Sequence, residues 1–586
     1  KVRDLDDTFA STPMFTTFRL LLLLALSMLW SISFFDVSTA FLHADLKTAS
    51  DEKVLMWPPD DFYEADSNVI WEIHKAMYGL RSSPRDWQDH FASILEDMGF
   101  KRLQADPNVY VKDRNLWVLA YVDDLTIFGP FDLIEKTFEL LSKKLIIKRE
   151  GSLGEEGSTA KFLGRILQRV SDYVLISGSR DYFDEDFEHY GVLKAKPTST
   201  PGSQSKSIKE ELDDPVSEDE HRQFRKTVGK LLWQVPVRPD LAYGVKELSR
   251  SLVQPKRSCL AKLKYLLKYI RGTMDYRMMI RPELQIDINK VSTLDIDVLV
   301  DSDWAGCQET RRSTSGFVIF FLGSVVQFAS RTQATPALSS AEAELYSIGT
   351  GSSEGLGVRN VLQESGLVKK VNLKIHTDSS AGKSLAVRFG AGRKSRHIEL
   401  RYLYMQHLVR EGVISIKKVA GTDNPADVFT KSVSKDILNK HIAKIGLVPS
   451  SSYVTVGSIT VVSKSIGISF LNFDVKAALR LCRETDLQRS RIQYISKENS
   501  IPSSQVLERT RGHIQAASLC QGTFYSRWMP SICQGSFYYA RFKSMIRQTF
   551  DTDIIQEETV EISEFSSTQR FNVFEFFRRY RFYVLI

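Results

Sequence analysis

The chain has 586 residues, 43% hydrophobic and 25% charged, with 78 Lys and Arg against 71 Asp and Glu. That length points to several domains of ~150 residues, and the balance excludes a wholly disordered, collagen-like or coiled-coil chain. Cysteines at 259, 307, 482, 520 and 533 are too few and too scattered for a disulfide framework or a Cys-ligated zinc site, so a reducing compartment is the default. The net charge of +7 permits a phosphate-backbone partner without demanding one.

Between Arg19 and Asp36 lie 16 uncharged residues, LLLLLALSMLWSISFF. A membrane-spanning helix needs ~20 apolar residues, and Ser27, Ser31 and Ser33 interrupt this run. It reads as a buried helix followed by a β-rich strand, SISFFDV, with no membrane association. No signal peptide is recognisable, and a chain that opens on Lys1 leaves targeting unread. The first ~190 residues alternate apolar runs with helix-like stretches. Residues 194–223, with Pro197, Pro201, Gly202, clustered Ser and the acidic run EELDD, read as a linker or exposed loop. A helix is expected from Pro239 to about Leu252, and another over SCLAKLKYLLKYIRG with Ser258 as N-cap and Gly272 as stop.

From about Val291 the period changes. DVLVDSDW and GFVIFFLGSVVQFAS read as strands, and the region from ALSSAEAELYSIG to Gly366 as a long helix. A strand (VNLKIHTD), helices from Ser379 and about Ile398, a strand (VISIKKV) and a helix opened by Asn424 and Pro425 follow. Strands alternating with helices argue for an α/β domain. Beyond about Ser450 the pattern degrades into a tail holding a short repeat, CQGTFYSR and CQGSFYYAR, with no assignable fold.

Two groups of acids carry the chemistry. LWVLAYVDDLTIFG reads as a hairpin whose turn holds Asp123 and Asp124. Asp-Asp occurs at three other places, 6–7, 60–61 and 213–214, all in polar or Pro-rich surroundings. Only 123–124 is pinned between strands that must be buried, where two adjacent carboxylates repel and a cation is the natural compensation. Asp36, near the end of SISFFDV, fits the same site. Together these acids would hold two divalent cations ~4 Å apart, as phosphoryl transfer requires, and all-oxygen ligands favour Mg²⁺, with Mn²⁺ as a substitute.

FDVSTAFLHADL, MYGLRSSPRDW and YVDDLTIFG, in that order, resemble the reverse transcriptase of copia-type LTR retrotransposons. The resemblance implies that Asp36, Asp123 and Asp124 are the catalytic palm carboxylates. It implies that Gly79, Arg81 and Pro84 line the template and nucleotide site. Phe41 falls where such polymerases place an aromatic gate against a ribose 2′-hydroxyl. Read without the family, Phe41 is a core aromatic.

The second group comprises Asp301 and Asp378 at strand ends, Glu344 in a helix and Asp427 in a first helical turn. Singly, each has a bland account: Asp378 and Asp427 suit helix starts. Together they can converge on one metal pair. DSDWAGCQETRRSTSGFVIFFLGSVVQFASRTQATPALSSAEAEL, HTDSSAG, SRHIELRYLYMQHL and GTDNPADVFTKS resemble the copia-type RNase H domain. That implies Asp301, Glu344, Asp378 and Asp427 as metal ligands, with Asp303 and Glu342 the neighbours most easily confused with them. His397 is as well read as a surface residue as a site residue. The basic residues Arg388, Arg393, Lys394, Arg396 and Arg401 suggest a phosphate-contacting ridge whose affinity weakens with salt. A solvated helix face is the equal alternative.

KFLGRIL, FRKTVGKLLWQVPVRPDLAYGVKELSRSL and YLLKYIRGTMDYRM resemble the family's thumb and connection, so the likeness spans roughly residues 5–448. The implied architecture is multidomain α/β and α+β. A right-hand polymerase palm and thumb start (1–193, fingers truncated) is followed by a linker with thumb and connection helices (194–290). An RNase H-like α/β domain (291–448) and an unassigned tail (449–586) complete it. The implied partners are an RNA template, a DNA primer, dNTPs and RNA–DNA hybrid, in cytoplasmic virus-like particles or the nucleus rather than outside the cell. Without the basic fingers that grip a triphosphate, polymerisation by this chain is expected to be weak or absent. RNase H is the better expectation for activity. The alternative is a decayed, non-catalytic remnant that at most binds nucleic acid.

Overall fold

The computed structural model describes residues 8–47, 53–58, 69–202, 214–388, 400–449, 453–456 and 459–462, and no side chains for 400–403 or beyond 450. All of these lie in the first of two units, Lys1–Phe473. The architecture is mixed α/β.

The apolar run divides as its composition suggests. It forms helix α1 (Phe15–Ser27), buried from Thr17 to Ser27, and strand β1 (Ser31–Val37). A helix apolar on every side needs neighbours on every side, and α1 finds them in three sheets. Among the described residues no helix is long and apolar enough to cross a membrane. Next come α2 (Ala40–His43), the ribbon β2 (Leu55–Met56) and β3 (Trp71–Glu72), and α3 (Ser83–Asp97). Then follow β4 (Lys101–Arg102), β5 (Val109–Lys112), β6 (Leu116–Tyr121), β7 (Asp124–Gly129), α4 (Phe131–Ser142) and β8 (Ile147–Ser152). The first sheet runs β4-β5-β6-β7-β1-β8, all antiparallel. Its inner strands β1, β5, β6 and β7 are buried on both faces, while the edge strands β4 and β8 are largely exposed. Phe35, Val118, Leu125 and Ile127 pack with Trp87 and Phe91 of α3 and Ile134 and Leu141 of α4. The alternate residues Ile32, Phe34, Trp117 and Phe128 pack with α1. This two-sided burial explains the continuous apolar runs.

The second sheet begins with β9 (Thr159–Phe162), β10 (Arg165–Val170) and β11 (Tyr173–Ser177). Helices α5 (Asp184–His189), α6 (Glu218–Gln234), α7 (Ala242–Ser249) and α8 (Arg257–Gly272) precede β12 (Tyr276–Ile280). Three expectations need correction here. Residues 194–202 form no helix or strand, as an exposed loop would, but they are tethered rather than loose, and it is the far end of the expected linker that needs correction. Arg271 of α8 donates to the Leu193 and Ala195 carbonyls, and Thr198 Oγ1 donates to the Tyr265 carbonyl at 3.3 Å. The expected linker runs into α6, which starts at Glu218 because Ser217 and Glu220 form a reciprocal capping box. The helix expected at Pro239 opens as a 3₁₀ turn and ends at Ser249, and Lys256 rather than Ser258 occupies the N-cap of α8.

The third sheet is built from β13 (Thr293–Asp303), β14 (Thr314–Phe321), β15 (Ser324–Thr332), β16 (Lys370–Thr377) and β17 (Ile414–Lys418), in the order β15-β14-β13-β16-β17. The β13–β14 and β14–β15 pairs are antiparallel, whereas β13–β16 and β16–β17 are parallel. Helix α9 (Ser340–Glu364) crosses this sheet so closely that a Cβ on Gly351 would lie 2.5 Å from Val300 Cγ1. Around it lie α10 (Ser380–Val387), α11 (Leu400–Arg410) and α12 (Lys435–Lys444). The helix expected after Asn424 is a 3₁₀ turn, Pro425–Phe429.

The regions interlock. Strand β18 (Leu447–Pro449) pairs with β12 and so completes the second sheet, in the order β18-β12-β11-β10-β9. Arg19 of α1, 3% exposed, donates to the carbonyls of Val326 in β15 and Pro236. Burial, then Arg165, lowers its pKa to about 9, and the rings of Phe15 and Phe328 cover it at 4.9 and 5.2 Å. Glu364 at the end of α9 accepts from the Gln104 and Ala105 amides at 2.7 and 2.8 Å. A last hairpin joins β19 (Tyr453–Val456) to β20 (Ile459–Val462), and the repeats of the tail lie outside the described residues.

Candidate active sites

The first acid group stands at one end of the first sheet. Tyr121 pairs with Asp124, leaving Val122 and Asp123 as a two-residue turn between β6 and β7. Val122 has φ +56°, a left-handed conformation that strains a β-branched residue by roughly 1–3 kcal/mol. Contacts on both sides hold it. Trp87 Nε1 donates to the Val122 carbonyl at 2.8 Å, and the Val37 amide donates to the Asp123 carbonyl at 2.9 Å. Asp36 pairs with Asp124 across β1–β7, so the strands bring Asp36, Asp123 and Asp124 to one edge.

Burial, helped by Asp36 and partly opposed by hydrogen bonds from the backbone of the turn, raises Asp123 above the usual carboxylate range. Burial, then Asp123, Asp36 and Glu150, raises Asp124 to about 6. Lys148 of β8, opposite Asp36, places Nζ 3.7 Å from Asp36 Oδ2. Phe41 is half-buried, with its ring 4.7 Å from that of Tyr78. Tyr78 is 54% exposed, and its hydroxyl is raised by burial and then by Asp123 and Asp36. Gly79 has φ +103°, and nothing lies within 4 Å of where its Cβ would stand. The loop closes through Ser83 Oγ, which accepts from the Met77 amide at 2.8 Å and donates to the Met77 carbonyl at 2.7 Å. Arg81 is exposed and Pro84 opens α3. Sequence reading missed Tyr78, Lys148 and Glu150, which reach the acids only through the fold.

The second group is tighter. Val300 pairs with Thr377 in the parallel β13–β16 ladder, so the next residue of each chain segment, Asp301 and Asp378, emerges side by side. Glu344, in the first turns of α9, comes over them. Asp301, Glu344 and Asp378 each bring an oxygen within 4.8 Å of the others, and among the described residues they alone form such a group. Asp301 is 4% and Glu344 8% exposed. Burial, then Asp427, raises Asp301 to about 7. Burial, then Asp301 and Asp378, raises Glu344 to about 8. Asp378 is raised by burial and then by Asp427. Glu344 Oε2 is buried without a hydrogen-bond partner. Buried acids this close, with an orphaned oxygen, fit a divalent cation.

Asp427 adjoins this trio on the 425–429 turn, which Asn424 anchors by donating Nδ2 to the Val300 carbonyl at 2.9 Å. Thr430 Oγ1 donates to Asp301 Oδ2, and Lys431 Nζ lies 2.9 Å from Asp427 Oδ1. The two confusable neighbours are occupied elsewhere. Glu342 accepts from the Leu338 amide at 2.9 Å and from the Tyr346 hydroxyl. Asp303 turns toward Gly306, where its Oδ2 fills the space of a Cβ. Thr430 and Lys431 were missed. Their spacing from Asp427 by three and four residues was the available signal.

Residues 2–204 match the reverse transcriptase (RNA-dependent DNA polymerase) family. The chain is 28% identical over 450 residues to the retrovirus-related Pol polyprotein from transposon TNT 1-94 of Nicotiana tabacum, covering 74% of this chain and 32% of that one. The Pol polyprotein from transposon RE1 of Arabidopsis thaliana is 28% identical over 452 residues, with coverage of 76% and 29%. These matches make the chain similar to copia-like Pol polyproteins. The chain spans 32% and 29% of the length of these two relatives. A solved foamy viral protease-reverse transcriptase in complex with RNA/DNA hybrid aligns at TM-score 0.41 and 11% identity, over 70% of this chain and 46% of that one.

The expected basic ridge is only partly placed. Arg388 is exposed just beyond α10, and Arg401 belongs to α11. Arg393, Lys394, Arg396 and His397 lie outside the described residues. Lys418 Nζ, from β17, donates to the Asp378 carbonyl and adds a cation beside the second group.

Proposed function

We propose that the chain is the reverse transcriptase and RNase H portion of a retrotransposon Pol polyprotein, with a palm and thumb built on the first two sheets and an RNase H domain on the third. The observation that carries this reading is the convergence of Asp301, Glu344 and Asp378 beside Asp427 at the carboxyl ends of parallel strands. Mg²⁺ suits their all-oxygen donors, and a bound pair would supply charge neutralisation and a lowered pKa for attacking water.

The chain's own residues do the rest. Thr430 orients Asp301, Lys431 offsets Asp427, and burial keeps bulk water from screening the acids. RNA–DNA hybrid is recognised by backbone shape and 2′-hydroxyls, so cleavage is expected to show little sequence preference. At the first group, which the strands bring to one edge without the close approach of the second, Asp36, Asp123 and Asp124 would hold Mg²⁺, which would supply charge neutralisation at the phosphates of a dNTP. Phe41, backed by Tyr78, blocks a ribose 2′-hydroxyl.

The test is Mg²⁺-dependent cleavage of the RNA strand of a hybrid. Asp378→Asn is expected to abolish it, and unchanged cleavage sinks the assignment. A wild-type chain that binds hybrid but never cuts it would favour the non-catalytic remnant.

A further inference from the structure

Lys246 is an unusual place for a cation. It lies on α7, outside the 291–448 segment that carries the second acid group, yet only 11% of its side chain is exposed. Lysines usually run along apolar surface and lift the ammonium into water, because burying that charge costs several kcal/mol unless partners meet it. Lys246 meets Glu247 on its own helix, the face of Tyr243 at 4.6 Å, and the hydroxyl of Thr314, which accepts from Nζ at 2.9 Å. Glu247 also meets Arg250 at 3.4 Å, so these charges largely cancel within the helix. Beyond its own helix Lys246 reaches Thr314 through this hydrogen bond and Asp303 of β13 through charge.

Thr314, 6% exposed, is the first residue of β14 and pairs with Asp303, the last residue of β13. Two rungs along, Gly316 pairs with Asp301. Lys246 therefore grips the end of the ladder that aims Asp301. The same helix face reaches the acids from behind as well. Tyr243, three residues earlier, lines a small cavity with Val428, Lys431 and Ser432, and Lys431 is the ion-pair partner of Asp427. One face of α7 thus backs both the strand end beneath Asp301 and the turn that carries Asp427.

We propose that Lys246 is a positioning residue of the second acid group, supplied from α7: through Thr314 it holds the β13–β14 end so that Asp301 meets Glu344 and Asp378 in metal-binding geometry. The consequence for cleavage rests on the RNase H reading; the consequence for metal affinity does not.

Calorimetric titration of the full chain with Mg²⁺ tests this, taking as the signal of this group the binding component that Asp301→Asn removes. Lys246→Met is expected to weaken that component about tenfold, the scale of losing a support behind metal ligands. Thr314→Val, which keeps the lysine's charge and the side chain's shape, is expected to weaken it equally, and the double variant to be no worse than either single one. Unchanged Mg²⁺ affinity in Thr314→Val overturns the proposal, even if thermal stability falls, because Lys246 then only packs or acts by charge. So does the absence of any Asp301-dependent component. Mg²⁺ binding that responds to Thr314→Val in a chain that never cuts hybrid sinks the RNase H reading and leaves this inference standing.

Discussion

The two acid groups are built from the same parts and differ in how the chain delivers them. In the first, antiparallel strands set Asp36 opposite Asp124, with Asp123 on an open turn and Lys148 within 3.7 Å of Asp36. In the second, parallel strands release Asp301 and Asp378 side by side beneath a helix that adds Glu344. The Asp36 side chain keeps 29% exposure, while Asp301 keeps 4%. Burial leads the causes that raise Asp123 and Asp124 in the first and Asp301, Glu344 and Asp378 in the second, yet Asp124 reaches about 6 where Glu344 reaches about 8. Glu344 is also the more deeply buried of the two. The buried group is the one that most needs a cation.

The largest expected effect breaks the comparison at its tighter end. Glu344→Gln should cut hybrid cleavage on the order of 10³-fold, a barrier increase of about 4 kcal/mol. It should also raise the melting temperature of the metal-free chain, because a crowded buried acid is gone. Asp36→Asn, at the more open group, should leave both cleavage and metal-free melting nearly unchanged. A second test uses pH. Glu344 rises in the folded chain from 4.5 to about 8, so the folded state holds its proton longer than the unfolded one. The stability present below pH 4.5 is therefore lost as pH rises toward and through about 8. Thermal melts of metal-free chain should show that decline, and Mg²⁺ should restore more stability at pH 8 than at pH 6. A flat profile would mean that burial does not set the difference.

Smaller effects sharpen the picture. Gly79→Ala forces a side chain into φ +103° and should cost about 1–2 kcal/mol in denaturant unfolding, with no effect on hybrid cleavage. Lys431→Met frees Asp427 from its ion pair, and Mg²⁺ at half-maximal cleavage should fall about threefold. No change would mean that Lys431 does not compete for the acids.

Much of the fold was legible because local signals agreed with tertiary need. The apolar runs on either side of Asp123 formed a hairpin, and the stretch before Asp36 split into helix and strand where its residues change from Leu-rich to β-rich. The misreadings came from features with two local meanings. Ser217 and Glu220 stand in a Ser-rich acidic stretch that also reads as linker, and only their reciprocal bonds make a helix start. Asn424 and Pro425 signal a helix start equally well for an α-helix or a 3₁₀ turn. The bond from Asn424 to Val300 fixes the turn that is found. Strand β18 is three residues long, too short for any period to show, and exists because β12 offers an unpaired edge.

The sequence by itself determined that Asp378 follows directly on a strand, that Glu344 lies on a helix, and that the apolar run before Asp36 belongs in an interior, whereas Asp301, expected at a strand end, has two more strand residues after it. These follow from alternation, capping and hydrophobicity, which act over a few residues. Only the tertiary structure decided that Lys148, Thr430 and Lys431 stand against the acids, and that a lysine from α7 reaches the end of β14. Those pairings depend on the direction in which side chains leave distant segments, and on the desolvation they meet there. Neither quantity is written in local spacing.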